Sequence, residues 1–305
     1  MSALSHKQIG FSLLWLLQAK TDRNHRLNQE EMLAILQEET GLQHTRKAIR
    51  ANLLELQTAG FPIRFDKGWY YDRELTGAEL HLIVDALRSA NGITVQQQQA
   101  MSDKICRLGG EPYAPQSEKK ALKPENPGFM DHLELLHTAV SKGVAVRLIY
   151  GNYAVDRQLH PLLNRNGRPR EYTVDPYHVV VTNGKHYLIG HVPEHPGLVH
   201  FRVDHIMELR LMRKKACPME QVYPEPFDPA VYVAQHPFMY SGPVFPYRLR
   251  IFAREGIGNV LDWFGTDIQL EELDGTAYAN VISDESSMKQ WLKRYSDQAE
   301  LLEEK

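Results

Sequence analysis

Cysteine is scarce: Cys106 and Cys217 are the two in 305 residues. Two isolated thiols supply neither a disulfide framework nor the paired spacing of a zinc site, and a reduced, cytoplasmic setting is the expectation. Long apolar runs are missing as well. The stretch Phe11–Leu17 is short and runs on into a helical pattern, so neither a signal peptide nor a membrane span is expected. Positive charge is not in excess: 35 Lys and Arg stand against 38 Asp and Glu, a net charge of −3. That balance excludes a uniformly basic nucleic-acid binder and leaves room for a local basic surface. G-x-S-x-G, the P-loop and H-E-x-x-H are all absent. No catalysis, no cofactor and no metal are therefore expected.

What is present is an ordinary balance for a soluble globular chain, with 43% apolar and 24% charged residues, at a length that calls for two or three domains. The charge is uneven. Between Lys142 and Arg170 six cations face a single anion, Asp156, whereas the last third is rich in Asp and Glu. One domain is thereby expected to meet an anion. Nine of the fourteen histidines lie between His132 and His205. Three residues separate His191 from His195, but Pro193 and Pro196 describe a loop rather than a rigid metal-binding face.

Residues 1–72 read as three helices and a β-hairpin. Ile9, Leu13, Leu14, Leu16 and Leu17 mark the first helix. Asn28 with Glu31 is a capping box opening the second, which Gly41 ends. The third runs over 45–59 and stops at Gly60, with Ile49, Leu53 and Leu56 facing the core. Lys47, Arg50 and Ala51 then point outward, with Arg46 at the edge of the stripe. The hairpin turns at Asp66-Lys67-Gly68. This layout is that of a winged helix-turn-helix, and a helix bearing Arg46, Lys47 and Arg50, with Lys67 in the wing, suits duplex DNA. A solvated basic face on an ordinary helical bundle is the plain alternative. Residues 73–128 form a helical linker, in which Thr76 and Glu79 make a second capping box and prolines 112, 115, 124 and 127 mark a connector. Residues 129–217 combine one helix with five or six short strands, the pattern of a small β-barrel. A proline-rich connector, 218–246, leads to a small α+β domain at 247–305.

The stretch from Tyr172 to Ile206 carries DPYHVV at 175–180, KHYLIG at 185–190 and FRVDHI at 201–206, with a hairpin turn at Asn183-Gly184. Taken in order with LTGAEL at 75–80, HPFMYSG at 236–242 and LDWFGTDI at 261–268, these segments resemble the WYL-domain transcriptional regulators of bacteria. The resemblance implies an N-terminal winged helix, an Sm-like WYL barrel, and the extension that often follows it. It also implies a homodimer bound to operator DNA, with a nucleotide or single-stranded nucleic acid as effector and repression as the expected sense of regulation. A two-fold protein favours a two-fold site. The chain departs from the family pattern in three places. His186 stands where the naming tryptophan is usual, His205 where a second arginine is usual, and Ala51-Asn52-Leu53 where an Arg-Asp-Ile run is common in the recognition helix.

By resemblance, Tyr150, Arg157, Tyr187 and Arg202 line the ligand groove. Arginine offers a planar fork to phosphate and tyrosine a stacking face to a base. Arg168 and Arg170, in NRNGRPR at 164–170, would clamp phosphates or simply belong to a soluble loop. His160, with His178 and His186, would make binding pH-sensitive. The plainer readings are that Tyr187 is core and that Arg202 pairs with Asp204. Asp204 and His205, taken as neighbours in a strand, point to opposite faces and form no dyad. A sensor that binds nucleotides or single strands without reading operator duplex is the second functional reading.

Overall fold

The computed structural model describes residues 6–41, 44–111, 124–252 and 254–302. Most of the connector expected before Gly128, with Pro112 and Pro115, lies outside the described residues. The chain separates into two compact units. One holds residues up to Ala90 together with those from Thr94 to 111, and the other holds Asn91–Ile93 and the described residues from 124 onward.

The first unit runs α1 (His6–Lys20), α2 (Gln29–Thr40), α3 (Arg46–Thr58), β1 (Ile63–Phe65), β2 (Trp69–Tyr71), α4 (Gly77–Ser89) and α5 (Val95–Gly109). Helices α2 to α5 start where side chains satisfy free backbone amides. Asn28 and Thr76 each close a capping box with Glu31 and Glu79, and Thr45 caps α3. Gly41 ends α2 in the left-handed region at φ 70°, where a residue without Cβ costs least. Leu13, Leu17, Met32, Leu36, Ile49 and Leu53 from the first three helices close one core. Ile63 and Trp69 bring the hairpin onto it. Two backbone bonds between Leu27 and Trp69, 3.0 and 2.8 Å, pin the hairpin to the segment before α2.

The second unit begins with α6 (Phe129–Lys142), β3 (Val144–Tyr153), β4 (Leu159–Pro161), β5 (Glu171–Thr182), β6 (Lys185–His191), β7 (Val199–Arg202) and β8 (Ile206–Lys215). Asn183 and Gly184 join β5 to β6 with φ of 51° and 69°, the paired left-handed residues of a type I′ turn. The antiparallel sheet is ordered β4-β3-β5-β6-β7, with β8 also on β3. It is not the expected closed barrel. Among the described strands β7 pairs only with β6 and β8 only with β3. A 3-10 turn at Val203–His205 carries the chain from one edge to the other, so the two edges share no ladder.

After α7 (Pro229–Gln235) the chain forms β9 (Val244–Ile251), α8 (Arg254–Phe264), β10 (Gln269–Leu273), β11 (Thr276–Asp284), α9 (Glu285–Arg294) and β12 (Ala299–Leu301). Its antiparallel sheet is ordered β10-β11-β9-β12. That is the βαββαβ arrangement of the split-βαβ class, a sharper form of the α+β domain expected from sequence. Leu249, Ile251, Ala279 and Val281 of the strands pack on Val260, Phe264, Met288 and Trp291 of the helices. The chain as a whole is a mixed α+β protein.

Asn126 ties the start of α6 to the turn after β7. Its side-chain amide donates to the carbonyls of Asp204 at 3.0 Å and Ile206 at 2.8 Å, and its oxygen accepts from Gly128 N–H at 3.0 Å. Asn126→Ala should cost about 2–4 kcal/mol, because it strips partners from buried backbone groups. Urea unfolding followed in the second unit should show a lower midpoint at unchanged slope. A loss below about 0.5 kcal/mol, the scatter of ordinary surface substitutions, would contradict this account of the turn.

Candidate functional site

In the first unit, α3 presents Arg46, Lys47 and Arg50 to solvent, and the turn between β1 and β2 presents Lys67 at φ 55°. Arg46, Arg50 and Lys67 line one open groove of about 750 Å³, with Phe65 and Trp69 among its apolar wall. Lys47 is exposed but does not line it. Glu30 of α2 reaches into the same groove and pairs with Arg46, and Arg26 pairs with Asp66 of the turn at 2.7 Å. Both carboxylates are exposed, so both pairs are weak ones that a phosphate can replace. Asn52 is buried and donates to Ala48 C=O at 2.9 Å, an inward use that its position in the helix did not reveal.

In the second unit, β3, β6 and β7 bring Tyr150, Tyr187 and Arg202 together. Tyr187 and Arg202 are register partners, and the Tyr150 hydroxyl accepts from Arg202 N–H at 3.2 Å. The Arg202 guanidinium is engaged by Asp204, with Nε to Oδ1 at 3.1 Å and Nη2 to Oδ2 at 2.6 Å. Asp204 keeps 1% of its side-chain exposure and Arg202 25%. Burial by itself would lower the arginine pKa, and the bonds and charge of Asp204 outweigh it, so that it is raised. Nη1 makes no hydrogen bond among the described residues, and it is the edge left for an outside anion. Tyr187 is buried as a core residue would be. Burial pushes the Tyr150 phenol up to about 12 and raises that of Tyr187, so both stay neutral hydrogen-bonding groups.

Rings extend the cluster on both sides. Phe201 lies edge-on to Tyr150 and Tyr172, with centroids 5.3 and 5.4 Å apart. His205 stacks on Tyr150 at 5.7 Å and meets Tyr153 edge-on at 5.3 Å. Arg170 lies over the Tyr172 ring at 4.5 Å. Of the two arginines expected in the 164–170 run, Arg170 thus joins the site. Tyr153, Tyr172 and Phe201 were not singled out in the sequence. The available signal was that Tyr172 lies two residues beyond Arg170, the spacing that puts neighbours on one face of a strand.

The other expected ligand residues are placed elsewhere. Arg157 does not begin a strand. It sits in the turn before β4 at φ 66°, exposed, because the β3–β4 hairpin needs a left-handed residue there. His160 is exposed and bonds Asp156 at 2.7 Å. Arg168 is exposed in the loop. Among the described residues no side-chain bond or ring contact ties Arg157 or Arg168 to the cluster. Asp204 and His205 are not strand neighbours either, since both belong to the 3-10 turn. His205 Nδ1 lies 3.0 Å from Gly151 C=O. Burial, helped by the Arg202 charge, holds His205 toward its neutral form. His178 stacks on Phe227 and His186 lies edge-on to Phe129, and burial lowers the pKa of both. No group of three or more His, Cys, Asp or Glu among the described residues could hold a metal ion. No helix among them is long and apolar enough to cross a membrane.

Residues 131–211 match the WYL domain, so the chain carries a WYL domain that spans most of α6 and the sheet into β8. Among solved structures, a similar chain is proteasome accessory factor B/C (PafBC) of Arthrobacter aurescens, with 16% sequence identity and a TM-score of 0.31. The similarity covers 99% of this chain and 46% of that one, so this chain spans about half the length of that structure. No curated protein matches the chain.

His200, two residues before Arg202 on β7, lies between Met239 C=O at 3.0 Å from Nδ1 and the Tyr232 hydroxyl at 2.8 Å from Nε2. Burial, with His236 nearby, lowers its pKa from 6.5 to about 4. A histidine held neutral by the fold contributes fully above pH 6.5 and loses that contribution as pH falls toward 4. Between about pH 7 and pH 5 the loss due to His200 is about 2 kcal/mol. His200→Gln should flatten the fall in stability over that range by this amount, as read from urea midpoints at the two pH values. An unchanged slope with pH would refute the assignment.

Proposed function

We propose that the chain is a cytoplasmic DNA-binding transcription regulator, acting as a repressor. In this reading α1–α3 and the β1–β2 hairpin form a winged helix-turn-helix that reads duplex operator DNA as a homodimer. The WYL domain, an open Sm-like sheet, senses a nucleotide or a short single-stranded nucleic acid. One observation carries the DNA half of the reading. Arg46 and Arg50 from one helix and Lys67 from the wing line the same open groove. Cations so arranged are matched to phosphates and to guanine edges. The effector half is supported by the WYL match and by the ring cluster between Arg170 and Arg202. Aromatic faces beside cations bind single strands with little sequence preference. The chain is read as a binder and not as an enzyme.

A second reading has its own observation. Asn52 is turned inward and Arg46 is paired with Glu30, so the helix presents less to a base edge than the family pattern implies. On this reading the chain senses nucleotides or single strands without reading operator duplex.

Reversing Arg46, Lys47 and Arg50 to Glu separates the two. If α3 is the reader, affinity for duplex DNA from the chain's own promoter should fall at least about a hundredfold. The salt slope should also shrink by about two to three. Arg202→Ala should leave duplex affinity without effector within about threefold, well under the cost of a lost base-specific contact. Duplex binding that survives the triple reversal but is abolished by Arg202→Ala would favour the second reading.

A further inference from the structure

The segment HPFMYSG at 236–242 plays no part in either site described above, yet it touches two elements at once. Toward the WYL sheet, Asn183 Nδ2 donates to Pro237 C=O at 3.3 Å and Met239 C=O faces His200 Nδ1 at 3.0 Å. Toward the C-terminal layer, Phe238 stacks on Trp263 of α8 with centroids 4.5 Å apart and planes inclined at 26°. Phe238 N–H donates to Ser287 Oγ of α9 at 3.4 Å, and Tyr240 donates to Gln290 of α9 at 2.6 Å. His236 closes the segment on itself, with Nε2 3.3 Å from Gly242 C=O and its ring stacked on Tyr232 at 4.2 Å. Met239, between the two sets of contacts, is buried at φ 55°. A left-handed methionine is a strained residue that its surroundings must hold in place.

The contact on β7 falls at an informative point. His200 is two residues from Arg202 on a strand that pairs only with β6 among the described strands. A displacement of Arg202 along or across that edge displaces His200, and with it the carbonyl of Met239. Tyr232 holds the other nitrogen of the same ring, so α7 and the segment that follows it both register the position of β7. A contiguous chain of contacts thus runs from β7 to two helices of another layer, a physical route for coupling that the substitution cycle below tests.

We infer that residues 236–242 form a coupling strap that passes the state of the Arg202 cluster to α8 and α9, with His200 as the positioning residue on the near side and Phe238 on the far side. The inference rests on the reading that this cluster is the effector site. Its test has one arm that needs no effector.

In that arm, amide hydrogen exchange of α8 and α9 is measured in the full chain for the parent, Arg202→Ala, Phe238→Ala and the double variant. Arg202→Ala should change α9 exchange by about threefold or more, within the range of measured couplings. The same substitution should have no further effect once Phe238 is Ala. Equal α9 exchange with and without Arg202, or an equal response with and without Phe238, overturns the strap. Should Phe238→Ala or Arg202→Ala, which leaves the buried Asp204 unpaired, fail to fold or change exchange throughout the chain, Phe238→Leu, Arg202→Lys and His200→Gln repeat the cycle with smaller losses of packing and charge pairing. The second arm adds a fluorescently labelled single-stranded DNA oligonucleotide of mixed sequence. Binding by anisotropy with slowed exchange in both β7 and α9 supports the strap, and binding with slowed exchange in β7 alone overturns it. Absence of any binding counts against the effector reading, while the substitution cycle still decides the strap.

Discussion

Asp204 is almost wholly withdrawn from solvent, and a carboxylate in that position must be paired or be a large cost to the fold. Arg202 supplies the pair through two bonds. Much of the second unit is arranged around meeting that demand. The 3-10 turn that carries Asp204 is held by Asn126. Gly92, at φ 90°, comes so close that a Cβ there would lie 2.9 Å from the Asp204 Cβ and 2.6 Å from the Phe129 ring. The same turn redirects the chain from β7 to β8 and brings Ile206 onto Tyr150. An arginine that looks in sequence like an open fork for phosphate is thus largely committed before any ligand arrives. What it can offer from outside is one edge of the guanidinium, next to rings that favour a planar partner.

A parallel economy governs the first unit. Arg46 and Arg26 rest on Glu30 and Asp66, exposed pairs that contribute little to stability. Exchanging such a carboxylate for another anion therefore costs little, and under the proposed reading the release of counterions from duplex DNA would favour the exchange. The acidic partners shape the groove's preference by repelling phosphate where they stand, and Glu30 can accept from a cytosine amino group. Selectivity in such a groove comes from placement of both signs of charge, which suits a chain whose overall charge is only −3.

The parts legible in sequence are those decided locally. Asn28 with Glu31 and Thr76 with Glu79 place helix starts, and the structure has both capping boxes. Asn183-Gly184 fixes the β5–β6 hairpin read from the sequence, and β6 runs over Lys185–His191. Tyr150, Tyr187 and Arg202 do converge. The errors arise where distant residues decide. A barrel was expected from strand count, but closure depends on whether β7 and β8 meet, and a three-residue turn keeps them apart. Asp204 and His205 read as neighbours in a strand, yet they lie in a 3-10 turn whose Asp204 carbonyl is held by Asn126, far away in sequence. Arg157 is read as a groove residue, but the geometry of the β3–β4 hairpin holds it at positive φ in an exposed turn. The order of strands within the last sheet, β10-β11-β9-β12, is not legible because strand pairing is a long-range property that periodicity does not encode.

The two histidines that replace customary side chains change character once their surroundings are known. His186 lies edge-on to Phe129, and His205 sits between Tyr150 and Tyr153 with Nδ1 facing Gly151 C=O. Burial favours the neutral form of each, so near neutral pH His205 does not supply the positive charge that the resemblance places at its position. At His205 the exchange removes a cation beside Arg202 and leaves a flat ring stacked on Tyr150. That shifts the balance of the site from charge toward stacking. A ligand whose affinity came mainly from phosphates would lose by this change, whereas one held by its bases would lose little. Arg170 over Tyr172 is then the outer cation of the cluster, and the rings of Tyr172, Phe201 and Tyr150 lie between it and Arg202.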